Sequence, residues 1–168
     1  MWTMIEGFKH LTSEEFDLLV EAPALVTVLV GASDGDLDRE ERTWSEKMLR
    51  ARTYTSPKSL NDFYRVAAEG FWAKVHGIQA HYPHEVEERN AAISKRLGDL
   101  NPVLAKLDPK IGGHLYKGLL RLAEEVAEAS GGFLRIGAIN AAEAEWLGLP
   151  MLTPIEVPAE ETEVEETE

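Results

Sequence analysis

The sequence Ala-Ser-Asp-Gly-Asp-Leu-Asp-Arg-Glu-Glu, residues 32–41, joins two helical patterns. Its carboxylates belong to Asp34, Asp36, Asp38, Glu40 and Glu41. Gly35 suits the left-handed position at which a helix ends. Asp38 and Glu41 have the three-residue spacing of a capping box that opens the next helix. The first two acids of the stretch have no such role at a helix end, so another function is needed to explain them.

Crowded carboxylates repel one another, and Arg39 and Arg42 are the nearest bases in the sequence. A divalent cation relieves this repulsion, and hard cations such as Ca²⁺ prefer carboxylate oxygens. The stretch therefore predicts a site for Ca²⁺ or another divalent cation. The predicted ligands are Asp34, Asp36, Asp38 and Glu41. The alternative is a solvated turn in which each acid near a positive helix end contributes about 0.3–1 kcal/mol.

The predicted site is not an EF-hand. An EF-hand loop that began at Asp34 would need Gly at its sixth position and Glu at its twelfth. This sequence has Arg39 and Ser45 at those positions. Any site in the stretch is therefore shorter than an EF-hand, and we expect it to be weaker.

The charge of the chain is concentrated at one end. More than half of the net charge of −13 comes from residues 155–168, which hold seven Glu and no base. We therefore predict a single domain over residues 1–150 and an acidic, disordered tail over residues 151–168. The domain has no basic stripe, so binding to nucleic acid is not expected.

Three features of the sequence bear on the cellular compartment. Cys is absent, which excludes disulfides and thiolate zinc sites. The first ten residues lack the basic and apolar regions of a signal peptide. The longest apolar run, residues 24–32, is too short to span a bilayer, so no membrane insertion is expected. The cytoplasm is the expected location.

Apolar residues recur at steps of three and four through most of the chain. This period predicts an all-α fold, a compact bundle of about seven helices. Thr12 and Glu15 form a capping box before the first helix, and Pro23 is expected to end that helix and begin a second. The repeat over residues 60–78 predicts one long helix, and the repeat over residues 109–126 predicts the clearest helix of the chain.

No catalytic motif is present. The sequence lacks a nucleophile elbow, a phosphate-binding loop and a dinucleotide fingerprint. His76 and His81 are five residues apart and so do not share a helix face. Together with His84 they are expected to be surface or partly buried residues, with a zinc site as the alternative. A metal-dependent hydrolase in which the acidic stretch holds a metal that activates water is an open alternative to a non-catalytic protein.

The acidic stretch also resembles the sequence signature of a known family. Gly-Ala-Ser-Asp-Gly-Asp-Leu-Asp-Arg-Glu-Glu, residues 31–41, follows an apolar helix and resembles the Ala-Asp-Gly-x-Ile-x-x-x-Glu signature of the TerB-like (tellurite-resistance protein B) family. Asp34 and Glu41 match the acids of that signature. The resemblance covers about residues 11–149. It implies a compact all-helical domain that binds metal, takes part in stress-response systems near the membrane and has no settled catalytic activity.

A second copy of the motif is expected in this family. Ile139 and Glu143, followed by Leu-Gly-Leu-Pro at 147–150, resemble that copy, and the two copies would form helix–loop–helix units related by a pseudo-twofold axis. Ser130 stands where the second acid would be, and extra residues separate it from Glu143. The second motif therefore departs from the family's pattern at the acid that would bind a second metal ion.

The expected function is a non-catalytic module that binds a divalent cation and has a protein partner. The alternative is an interaction module without metal. Such a module would use an apolar groove between helices, and its acidic tail would attract a basic partner.

Overall fold

The computed structural model describes residues 5–32, 47, 58–130 and 141–158. Every regular element in these residues is a helix, which confirms the all-α prediction. In chain order the helices are α1 Ser13–Gly31, α2 Lys58–Glu69, α3 Phe71–His81, α4 Val86–Gly98, α5 Leu100–Lys106, α6 Pro109–Ser130 and α7 Ala141–Trp146. Most of residues 33–57 lie outside the described part, so the total of about seven helices and the pseudo-twofold axis stay predictions.

Helix α1 is the centre of the bundle. It packs against all six of the other described helices. Every residue from 22 to 32 is buried, and a helix that is apolar on all sides belongs in the interior of a bundle. The apolar run at residues 24–32 therefore lies in the core of the fold. Among the described helices, none has both the length and the apolar content needed to cross a membrane.

The predicted break at Pro23 is wrong, because Pro23 lies inside a continuous α1. Proline cannot donate to the Leu19 carbonyl, and a proline within a helix costs about 3 kcal/mol relative to alanine. The buried Thr27 hydroxyl donates to the Pro23 carbonyl at 2.8 Å. Full burial of one Val or Leu side chain contributes about 1.5–3 kcal/mol, and this half of α1 buries several. Packing therefore outweighs the local preference for a break.

The predicted capping box at the start of α1 is confirmed. The Thr12 hydroxyl accepts from the Glu15 N–H at 3.2 Å, and the Glu15 carboxylate accepts from the Thr12 N–H at 2.9 Å. The same carboxylate accepts a hydrogen bond from Lys106 at the end of α5. Glu15 therefore joins the first turn of α1 to α5.

The Lys106 ammonium, and after it the Thr12 N–H, hold the pKa of Glu15 below its usual range. A depressed carboxyl pKa stabilises the fold above the unfolded pKa, and this contribution is lost as the pH falls through the folded pKa. Lys106→Met is expected to raise the Glu15 pKa toward its ordinary value, and an NMR pH titration of the Glu15 carboxyl carbon measures it. The control is Lys110→Met, at an exposed lysine. A Glu15 titration that stays the same in Lys106→Met would contradict the ion pair.

The predicted single helix over residues 60–78 is divided in two at Gly70. Gly70 has φ −99° and ψ 5° and separates α2 from α3. Glycine is the weakest helix former after proline, so a junction between two helices is least costly there. The buried side chains nevertheless keep their helical spacing through the break: Phe63, Ala67, Phe71, Val75 and Ile78. A short break of this kind does not change the spacing of the apolar residues, so the spacing does not reveal it.

Residues 151–158, the first part of the predicted tail, lie against the helical body. The Asn101 side chain of α5 donates to the Met151 carbonyl at 2.9 Å and accepts from the Thr153 N–H at 2.8 Å. These bonds attach an extended segment to the bundle. The rest of the predicted disordered tail, residues 159–168, lies outside the described residues.

Candidate functional site

The residues predicted to bind a cation lie outside the described part of the chain. They are Asp34, Asp36, Asp38 and Glu41. The prediction of a metal site at these residues therefore stays a prediction. In the ranges 5–32, 58–130 and 141–158, no three His, Asp or Glu side chains form a group that could hold a metal ion.

The structure does describe the first residue of the acidic stretch. Ala32 caps the C-terminus of α1, where its N–H donates to the Val28 carbonyl at 3.0 Å. The Ala32 carbonyl accepts a hydrogen bond from the guanidinium of Arg89 in α4. Arg89 is only 8% exposed. A cation is favourable at a helix C-terminus, and here it holds the point at which the acidic stretch begins.

The sequence pattern does not single out Arg89, because a charged residue after two glutamates resembles a solvated helix face. The signal that could have found it is spacing. Arg89, Ile93 and Leu97 lie at steps of four, so they share one face of α4. Ile93 and Leu97 are fully buried. An arginine one turn before two core residues is expected to face the core as well.

A second feature is an open groove of about 610 Å³ between α1, α2 and α3, which we call the α1–α3 groove. Its base is apolar and consists of Phe16, Val20, Val66 and Ile78. Its polar residues are Asp17, Glu21, Lys74, His81 and Tyr82, and Gly77 completes the lining. An apolar base with a few polar groups is the usual composition of a binding site.

Two side chains at one end of the groove have defined hydrogen-bonding roles. Burial, and after it the Glu21 carboxylate, raise the pKa of Tyr82, whereas Arg96 opposes this effect. The Tyr82 hydroxyl is therefore protonated at neutral pH and able to donate. The Nδ1 atom of His81 lies 2.8 Å from the Gly77 carbonyl, which only accepts, so Nδ1 carries a proton. In neutral His81 this leaves Nε2 as an acceptor.

The two sides of the groove carry opposite charges. Asp17 and Glu21 belong to α1, and Lys74 belongs to α3. Glu21 pairs with Arg96 at 3.3 Å, which offsets its charge. Among the described residues, Asp17 and Lys74 form no ion pair. The groove therefore presents one uncompensated negative charge and one uncompensated positive charge across an apolar base.

The histidines are surface residues, as expected. The side chains of His76, His81 and His84 are all exposed. The His76 ring lies 5.8 Å from the Trp72 ring, measured between centroids. These contacts do not bring the three histidines into the kind of group that the zinc alternative requires.

Comparison of the chain with protein-family models, with curated proteins and with solved structures finds no match. The TerB-like resemblance therefore rests on the sequence motif alone.

Proposed function

We propose that the chain is a non-catalytic helical module that binds a divalent cation, with Ca²⁺ the first to test. The ligands in this proposal are Asp34, Asp36, Asp38 and Glu41. The TerB-like family and a place in a stress-response or membrane-associated complex belong to the same proposal, and both rest on the motif. The observation that carries it is the hydrogen bond from Arg89 to the Ala32 carbonyl.

This hydrogen bond supports the proposal through conformational entropy. Ordering a loop around an ion costs about 1–2 kcal/mol for each residue whose backbone becomes fixed. Ala32 is fully buried and held by both α1 and α4, so the stretch starts from a fixed point. Preorganisation of one end reduces the cost of closing the loop on a cation.

Calorimetric titration of the EDTA-stripped chain with Ca²⁺ tests the proposal. A short site without the bidentate twelfth-position Glu is expected to bind with Kd of about 10⁻⁴–10⁻³ M. Asp34→Asn removes one charged ligand and is expected to weaken binding by about tenfold or more. The matched control is Asp62→Asn, at an exposed aspartate of α2. Absence of binding heat would remove the proposal, and equal losses in both variants would remove the assigned ligands.

A second candidate function is a protein-interaction module without metal. The observation that favours it is the α1–α3 groove, which combines an apolar base with charged residues on both sides. Amphipathic helices bind to grooves of this composition.

A further inference from the structure

We propose that the α1–α3 groove receives an amphipathic helix of a protein partner. The apolar stripe of that helix would carry basic residues along one edge and acidic residues along the other. This inference rests on the second candidate function and names the chemistry of the partner. It does not depend on the cation site.

Gly77 is the first reason. It lies within α3, where glycine destabilises a helix by about 0.5–1 kcal/mol relative to alanine. A Cβ built on Gly77 meets no atom within 4 Å, whereas one built on Gly118 would meet the Tyr64 hydroxyl at 2.5 Å. Neither packing nor backbone conformation therefore requires glycine at position 77. The space that a side chain would fill is the groove, and its absence allows a partner to approach the α3 backbone closely.

The charges are the second reason. A partner with basic residues alone would be attracted to Asp17 and repelled by Lys74, and a partner with acidic residues alone would meet the reverse. A partner helix that carries both basic and acidic residues can be attracted to Asp17 and to Lys74 at the same time. Such complementarity selects the partner and excludes others by repulsion.

The shape of the groove favours a helix over a small molecule. The lining runs from Lys74 in α3 to Tyr82, the residue that caps this helix, a distance of about 12 Å or about two helical turns. Anchors at positions i, i+3 or i+4, and i+7 of a bound helix span about the same length. Small-molecule sites bury about 70–90% of their ligand, and an open groove does not enclose a ligand in this way.

The first test uses synthetic peptides of about 16 residues, long enough to form helix. Three fluorescein-labelled peptides share one leucine stripe and differ only at its edges: Lys on one and Glu on the other, Lys on both, or Glu on both. Fluorescence anisotropy with the full chain in EDTA measures each Kd. The mixed peptide is expected to bind about fivefold or more tighter than the other two. Lys74→Glu is expected to move the preference to the peptide with Lys on both edges.

The second test uses a matched pair of glycines. Gly77→Leu places a side chain in the groove and is expected to weaken binding of the mixed peptide by about tenfold or more. Gly148 also has no atom within 4 Å of a built Cβ and lies outside the groove lining, so Gly148→Leu is expected to leave binding unchanged. Cooperative thermal unfolding of each variant, at a midpoint no lower than that of the unaltered chain, would show that both remain folded.

Three results would overturn the inference. The first is equal binding of all three peptides. The second is full binding by Gly77→Leu. The third is that no peptide binds, whereas a small apolar dye binds to the unaltered chain and not to Gly77→Leu. The groove would then be a small-molecule site. The EDTA buffer keeps these results separate from the Ca²⁺ titration, so either proposal can fail alone.

Discussion

Phe63→Ala is expected to lower the free energy of unfolding by about 3–5 kcal/mol. Phe63 is 2% exposed and lies at the meeting point of three segments. Its ring stacks on Phe8 with centroids 5.5 Å apart and meets the edge of Phe16 at 6.1 Å. Aromatic pairs of this kind contribute about 0.5–1.5 kcal/mol beyond the area they bury. Removal of the ring therefore leaves a cavity between the N-terminal segment, α1 and α2.

Urea unfolding followed by circular dichroism measures this loss. For a chain of this length a loss of 1 kcal/mol corresponds to about 2–4 °C in thermal midpoint, so the expected fall is about 6–20 °C. Val66→Ala is the control, because Val66 belongs to the same helix but is only half-buried, and we expect it to lose less than half as much. If the two variants lost equal stability, the N-terminal segment would not pack on α2 as described.

The features that the sequence predicted correctly are local. The capping box of Thr12 and Glu15 depends only on two residues that are three apart in the sequence. Such signals need no knowledge of the rest of the chain. The prediction at Pro23 was wrong because the outcome there is not local. Helix α1 continues through the proline because other helices pack around it.

The candidate site was less predictable, because it depends on residues distant in sequence. Arg89 and Ala32 are separated by 57 positions, and no local pattern connects an arginine to that carbonyl. The α1–α3 groove likewise exists only where α1 and α3 pack, so neither Asp17 nor Lys74 indicates it alone. The sequence did indicate the acidic residues, because clustered charge is visible without a fold.

The connection between the fold and the proposed cation site is tested at Arg89. Arg89→Met keeps an unbranched side chain of similar length but removes the charged donor to the Ala32 carbonyl. Hydrogen bonds to charged groups contribute about 1.5–3 kcal/mol, and a loss of that size is expected in urea unfolding with EDTA present. The control is Arg65→Met, which breaks only the exposed pair with Asp62 and is expected to cost less than about 1 kcal/mol.

Repeating the Ca²⁺ titration on Arg89→Met separates two roles of this arginine. If the anchor preorganises the acidic stretch, Ca²⁺ affinity falls together with stability, because the ion must then order a loop whose first residue is no longer held. If stability falls and Ca²⁺ affinity does not, Arg89 stabilises the bundle but does not affect the acidic stretch. The hydrogen bond to Ala32 would then no longer support the cation proposal. If neither changes, the guanidinium does not hold Ala32, and the end of α1 is fixed by the packing of its own buried residues.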